Sequence, residues 1–312
     1  MLHPNSIIIK ISAVEMGVDA LEQFMQQIVN GISLGSIYAL IALGYTMVYG
    51  IIKLINFAHG DIYMIGAYIG YAAITFAHLG FFPAMIISML ACGLLGVVTE
   101  KIAYKPLRNA SRIAVLITAI GVSLLMEYVM MFFVSPDVRS YPPVLSSKTF
   151  YIGDVRINIQ QLYIIVTAIV LMLLLQFIVH KTKVGKAMRA VSIDKDAAEL
   201  MGIKVDQTIS YTFAIGSAMA GAAGVLVGIY YNSIDPLMGI MPGLKAFVAA
   251  VFGGIGIIPG AMIGGLSIGI IETMVSGYGS SLFKDAVVFA ILIIILILKP
   301  AGILGKNTRE KV

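Results

Sequence analysis

Apolar residues in this chain fall in long unbroken runs, not in alternation. Stretches without a charged residue cover Ile28–Ile52, Leu79–Thr99, Ile113–Met126, Gln161–Val179, Gln207–Ser233, Ala246–Ile271 and Ala286–Leu298. A helix crosses the hydrocarbon core with roughly 20 apolar residues. A membrane barrel would instead show short alternating segments. The pattern therefore predicts an all-α polytopic membrane protein of about 8–10 transmembrane helices. Nine spans are placed at about 28–52, 62–77, 82–103, 113–134, 161–180, 209–231, 243–257, 260–278 and 286–298. Composition agrees, because charged residues make up 12% of the 312, about half the roughly 25% of a soluble domain. The single cysteine, Cys92, lies inside an apolar run and reads as a packing residue; it permits no intramolecular disulfide.

Within this frame two regions, 55–70 and 235–265, are short, glycine-dense and interrupted by polar residues or proline. They predict broken or re-entrant segments, one in each half of the chain. Irregular backbone at membrane depth is tolerated only where it is buried in protein or lines a cavity, and paired broken segments point to a transport pathway. Small residues recur every four positions at Gly31 and Gly35, at Gly66 and Gly70, and at Gly216, Ala220, Gly224 and Gly228. That spacing puts them on one helix face and lets a neighbouring backbone approach. Residues 1–24 read as an amino-terminal lead-in, with Met16 as an alternative start and 1–15 dispensable. Residues 25–312 read as a single transmembrane domain, and 135–160 as a polar loop.

One stretch breaks the apolar pattern. Lys181–Lys204 holds six basic and three acidic residues between two long apolar runs. With the amino terminus outside and nine alternating spans, 15 of the 21 basic residues fall on the inner side. By the positive-inside rule this places the carboxyl terminus and the charged loop, 181–206, in the cytoplasm. The net charge of +5 is then a matter of topology and implies no nucleic acid. Inside the loop, Asp194 is positioned to cap a short helix running to about Met201, with Gly202 as its stop. A short helix with charged and apolar faces fits the groove of a soluble partner, although a hairpin lying on the headgroups fits the same residues.

Ionisable residues within the membrane are functional hypotheses by default, and this chain has Glu127, Lys245 and Glu272. Lys245 and Glu272 are expected either to pair or to line a path. Glu127 reads as lining a path or as lying near the outer interface. The INFAHGD patch, 55–61, adds Asn56, His59 and Asp61 near the inner mouth, with Asp61 as a helix cap or a gate. No G-x-x-x-x-G-K-[ST] loop occurs; in GILGKNT, 302–308, the glycines are too close and Asn follows Lys306. There is no H-E-x-x-H pair, no Cys/His metal cluster and no nucleophile–base constellation. A metal centre, an enzyme and a self-powered ATPase are thus disfavoured. An ion-coupled secondary transporter of small amphiphilic solutes stays open.

Asp196-Ala197-Ala198-x-x-x-Gly202 resembles the E-A-A-x-x-x-G core of permease subunits of ATP-binding cassette importers, with Asp for Glu and without the downstream I-x-L-P. More broadly, NGISLGSIYALIALGYTMVYGII (30–52), INFAHGDIYMIGAY (55–68), GKAMRAVSIDKDAAELMGI (185–203), GLKAFVAAVFGGIGIIPGAMIGG (243–265) and PAGILG (300–305) resemble the LivH-type branched-chain amino-acid permeases, from about 25 to 310. The resemblance implies a multi-pass permease of a bacterial or archaeal inner membrane, translocating leucine, isoleucine or valine delivered by an extracytoplasmic binding protein. It implies a second permease chain, related or identical, and two cytoplasmic ATPase subunits that bind ATP and Mg, leaving this chain without cofactor or enzymatic activity. It assigns ATPase coupling to Gly185, Arg189, Asp194, Asp196, Ala197, Ala198, Glu199 and Gly202. The translocation path is expected near Asn56, His59, Asp61, Lys245 and Glu272. Related permeases carry urea or other amides, so that substrate class stands as an alternative.

Overall fold

The computed structural model describes residues 4–305 apart from Asn109, with side chains from Leu21 onward except those of Arg112 and Ile152. The alternative start at Met16 and the basic tail beyond Gly305 concern residues or side chains outside this range.

The chain is helical almost throughout. Among the described residues eleven α-helices run α1 (Pro4–Ile52), α2 (His59–Thr75), α3 (Phe81–Thr99), α4 (Arg112–Val134), α5 (Ile159–Lys181), α6 (Lys183–Ile193), α7 (Lys195–Leu200), α8 (Val205–Tyr231), α9 (Ile240–Gly253), α10 (Ile258–Tyr278) and α11 (Lys284–Leu298). Each of the nine expected spans contains a helix, although the seventh, 243–257, stops at Gly253. Six of the described helices are long and apolar enough to cross a membrane: those containing Leu21–Ile52, Phe81–Leu107, Ile113–Val134, Ile159–Lys181, Val205–Tyr231 and Ile258–Tyr278. The other three, α2, α9 and α11, are shorter at 17, 14 and 15 residues. Two of these short helices are the regions read as broken.

Their breaks have local causes. Between α1 and α2 the chain leaves the helix at Lys53, which adopts φ 56°. Between α9 and α10 it turns at Gly254 and Gly256, with φ of 112° and 91°, conformations open mainly to glycine. The 135–160 loop is more ordered than its polarity indicated. It contains β2 (Thr149–Ile152) paired antiparallel with β3 (Val155–Asn158), and β1 (Arg139–Ser140) paired with β4 (Ser233–Ile234) after α8. Runs this short carry too little alternation to stand out from a loop.

The bundle is organised on α1 and α8. In their most apolar windows 89% and 83% of residues are buried, against 22% in α4. Burial of apolar area gives little drive between helices already in hydrocarbon, so close packing has to hold them together. The glycine ladders supply it. A Cβ on Gly66 of α2 would stand 2.6 Å from Gly221 Cα of α8, and one on Gly35 of α1 would stand 2.8 Å from Leu266 Cα of α10. Ser88 of α3 ties that junction by donating to Gly66 O at 2.8 Å and to Gly221 O at 3.0 Å.

The two glycine-dense regions also meet. A Cβ on Gly239 would stand 2.6 Å from Gly60 O, and one on Gly243 would stand 3.0 Å from Gly60 Cα. The start of α9 therefore packs directly on the start of α2.

Candidate functional site

The charged stretch folds into two helices, α6 and α7. Thr182 caps α6 by accepting from Gly185 N at 3.1 Å. Gly185 is buried, and a Cβ there would run into the Ile178 and Val179 carbonyls at the end of α5. Arg189 turns inward and donates to Val179 O. Asp194 breaks the helix and caps α7, accepting from Asp196 N and Ala197 N, each at 3.0 Å. Gly202, at φ 83°, ends it, with Gly202 N donating to Glu199 O and Ile203 N to Ala198 O, the Schellman pattern. Ala198 is buried. Gly185, Arg189, Asp194, Ala198 and Gly202 thus build this unit, and Asp196, Ala197 and Glu199 face outward. Sequence reasoning passed over three further outward residues. Ile193, Leu200 and Met201 are 86%, 89% and 82% exposed, an apolar knob beside two carboxylates. The signal was available as apolar residues bracketing an acidic turn in a segment already assigned to water.

Polar contacts link this region to the α1–α2 junction. Asp206, in the first turn of α8, pairs with Lys105 at 2.6 Å and with Arg108. Arg108 also reaches Glu100, which is fully buried and accepts from Ser210 of α8 at 2.7 Å. Glu100 opens a π-helical turn, Glu100–Tyr104, at the end of α3. Such turns are uncommon and frequent at functional positions. At its other end Tyr104 donates to Asn56 Oδ1 at 2.6 Å.

Asn56, His59 and Asp61 are all buried. His59 lies edge-on to Tyr45, with ring centroids 4.8 Å apart. Asp61 is no helix cap: α2 already starts at His59, its cap position is Ala58, and no side chain bonds there. Asp61 instead sits inside the first turn, where the helix dipole favours a carboxylate, and accepts from Ser123 of α4. It also lines the same cavity as Glu127. Glu127 is 6% exposed and is directed into a cavity of about 250 Å³ between α2, α4 and α9.

Lys245 and Glu272 form a second, separate group. They pair at 2.7 Å; Lys245 also meets Asp285 at 2.6 Å, Tyr38 donates to Glu272 Oε2 at 2.8 Å, and Lys284 lies 3.7 Å from Glu272 Oε1. This buried network is internally neutralised. No cluster of three or more metal-ligating side chains occurs among the described residues.

A family model described as branched-chain amino acid transport system / permease component matches residues 27–296. The chain is 44% identical to the high-affinity branched-chain amino acid transport system permease protein LivH of Escherichia coli (strain K12), over 93% of this chain and 98% of that one. It is 42% identical to the corresponding permease protein BraD of Pseudomonas aeruginosa, over the same shares. It is 28% identical to a probable LivH permease of Methanocaldococcus jannaschii, over 88% and 90%. No solved structure matches. With a family match across most of its length and long relatives well above 30% identity, this chain belongs to the branched-chain amino acid transport permease family.

Proposed function

We propose that this chain is the membrane-embedded permease subunit of an ATP-driven importer of leucine, isoleucine and valine. The observation that carries the reading is the near end-to-end similarity to LivH and BraD at 44% and 42% identity. The geometry fits it. Energy has to enter from a partner, and α6–α7 presents Asp196, Glu199, Leu200 and Met201 outward on a base locked by Asp194 and Arg189. In this reading two ATPase subunits, holding ATP and Mg, grip that knob from the cytoplasm. A second permease chain completes the pathway, and a binding protein delivers the amino acid from the far side. The basic-residue asymmetry sets the amino terminus outside and the carboxyl terminus in the cytoplasm. Contacts from Asp206 through Arg108 and Glu100 to the π turn, and from Tyr104 to Asn56, supply a route from the knob to the broken segments.

The test is purification of the complex without crosslinker, followed by uptake in proteoliposomes. Expected are a co-purifying ATPase and ATP-dependent leucine uptake that valine and isoleucine inhibit. Uptake that persists without any ATPase would replace the reading with ion-coupled transport, and inhibition by urea alone would replace the substrate class. Charge reversal at Asp196 with Leu200→Glu should leave ATP hydrolysis but abolish its coupling to uptake.

A further inference from the structure

A cavity of about 80 Å³ lies at the base of the charged unit, between the last turns of α1, the end of α5, α6 and the turn leading into α10. A single water needs roughly 10–15 Å³, so there is room for one small ion. Three features of its wall favour negative charge, and no carboxylate is among the lining residues.

The first is Arg189, which lines the cavity and is partly buried. Its bond among the described residues is to Val179 O, a neutral acceptor. A guanidinium carries several N–H donors in a planar fork, and a charge withdrawn from water is costly until it is paired. The second is Thr46, which lines the same cavity, is 1% exposed and has a buried hydroxyl with no hydrogen-bond partner. In the same helix Ser33 and Ser36 close their hydroxyls on Val29 O and Ile32 O, four residues back, at 2.9 and 2.7 Å. The Thr46 hydroxyl makes no such return. The third is the start of α10. Gly256, at φ 91°, turns the chain against Gly50 of α1, and Ile258 opens the helix on the cavity wall. First-turn N–H groups have no partner within a helix and carry the positive end of its dipole. Ser192 also lines the cavity, but its hydroxyl already donates to Arg189 O at 2.8 Å.

We infer that this cavity is a binding site for one small anion, held between the Arg189 guanidinium, the Thr46 hydroxyl and the amino end of α10. Chloride or phosphate from solution and the phosphate of a lipid headgroup present the same chemistry to these groups. The bound ion joins α6 to α1 and α10, so that the charged unit is braced on the bundle by more than the Arg189–Val179 contact.

The test is hydrogen exchange on the assembled complex in phosphatidylcholine nanodiscs. Chloride or inorganic phosphate replaces gluconate at constant ionic strength. Exchange across 183–193 should slow roughly threefold once the anion reaches about twice its Kd. The β2–β3 hairpin, at the opposite end of α5, should not respond. Thr46→Val keeps the shape of the side chain and should raise the anion concentration for half effect roughly tenfold, while Thr46→Ser should restore it. Arg189→Gln should abolish the response; where that variant fails to assemble on gel filtration, Thr46→Val decides. Slowing in gluconate when phosphatidylglycerol is added, lost in Thr46→Val, would identify the lipid phosphate as the source. Exchange that is the same in every anion and lipid would overturn the site. So would an unchanged response in Thr46→Val, or equal slowing in the hairpin.

Discussion

Replacing Lys245 by methionine should damage the fold more than neutralising its partner Glu272. The magnitudes follow from what each change leaves behind. Lys245→Met strands Glu272, a carboxylate whose side chain is 3% exposed, with the Tyr38 hydroxyl and with Lys284 at 3.7 Å. Breaking a buried pair from one side costs about 3–5 kcal/mol. Glu272→Gln keeps an acceptor for Tyr38 and leaves Lys245 paired with Asp285 at 2.6 Å. Its cost is that of a charged hydrogen bond, about 1.5–3 kcal/mol. Lys245→Met combined with Glu272→Leu removes both buried charges and leaves the buried Tyr38 hydroxyl without its partner, about 1–3 kcal/mol, together with Asp285, whose side chain is 34% exposed and can turn to water. The double variant should therefore be more stable than Lys245→Met alone. At roughly 2–4 °C per kcal/mol, Lys245→Met lowers the melting temperature by about 6–20 °C. Cys92, fully buried, provides the assay, because a thiol-reactive fluorophore labels it only as the bundle opens. A double variant no more stable than Lys245→Met, or Glu272→Gln as the worse single change, would refute the reasoning.

Four further outcomes follow from the same contacts. Gly66→Ala forces a methyl against the Gly221 backbone and should cost about 1–3 kcal/mol, lowering the yield of monodisperse protein. Gly121→Ala, where a Cβ meets nothing within 4 Å, should leave the yield unchanged. Asp194→Ala removes the cap of α7 at about 0.5–2 kcal/mol; hydrogen exchange should accelerate at 195–200 and not in α8. Tyr104→Phe deprives buried Asn56 of its hydroxyl donor and should cost about 1–3 kcal/mol, read by the same Cys92 labelling.

The apolar runs disclosed the helices because a span needs length and lacks charge, and both are properties of the sequence itself. The cap at Asp194 and the stop at Gly202 were legible for a similar reason: their partners lie within a few residues. The contact between Gly60 and the Gly239–Gly243 turn was not legible, because it joins positions nearly 180 residues apart and glycine carries no side chain to mark a partner. Of the two roles open to Asp61 in sequence, the cap is excluded because α2 begins before it, and its partner, Ser123, sits on another helix where sequence could not show it. The residues of the coupling stretch were visible as a group, but sequence could not divide those that brace the unit from those it presents. Arg189 looks like a surface cation in sequence, yet its guanidinium is spent on Val179 O.

The intramembrane charges make the same point about chemistry. In sequence Glu127, Lys245 and Glu272 carry one warrant, that charge in hydrocarbon is costly. The structure separates them by whether that cost has been met. Lys245 and Glu272 have opposite charges at bonding distance, so their presence is explained by each other and calls for no ligand. Glu127 pairs with no opposite charge among the described residues and lines a cavity together with Asp61 and Ser123. The acid without an opposite charge thus sits on α4, the least buried of the six long spans.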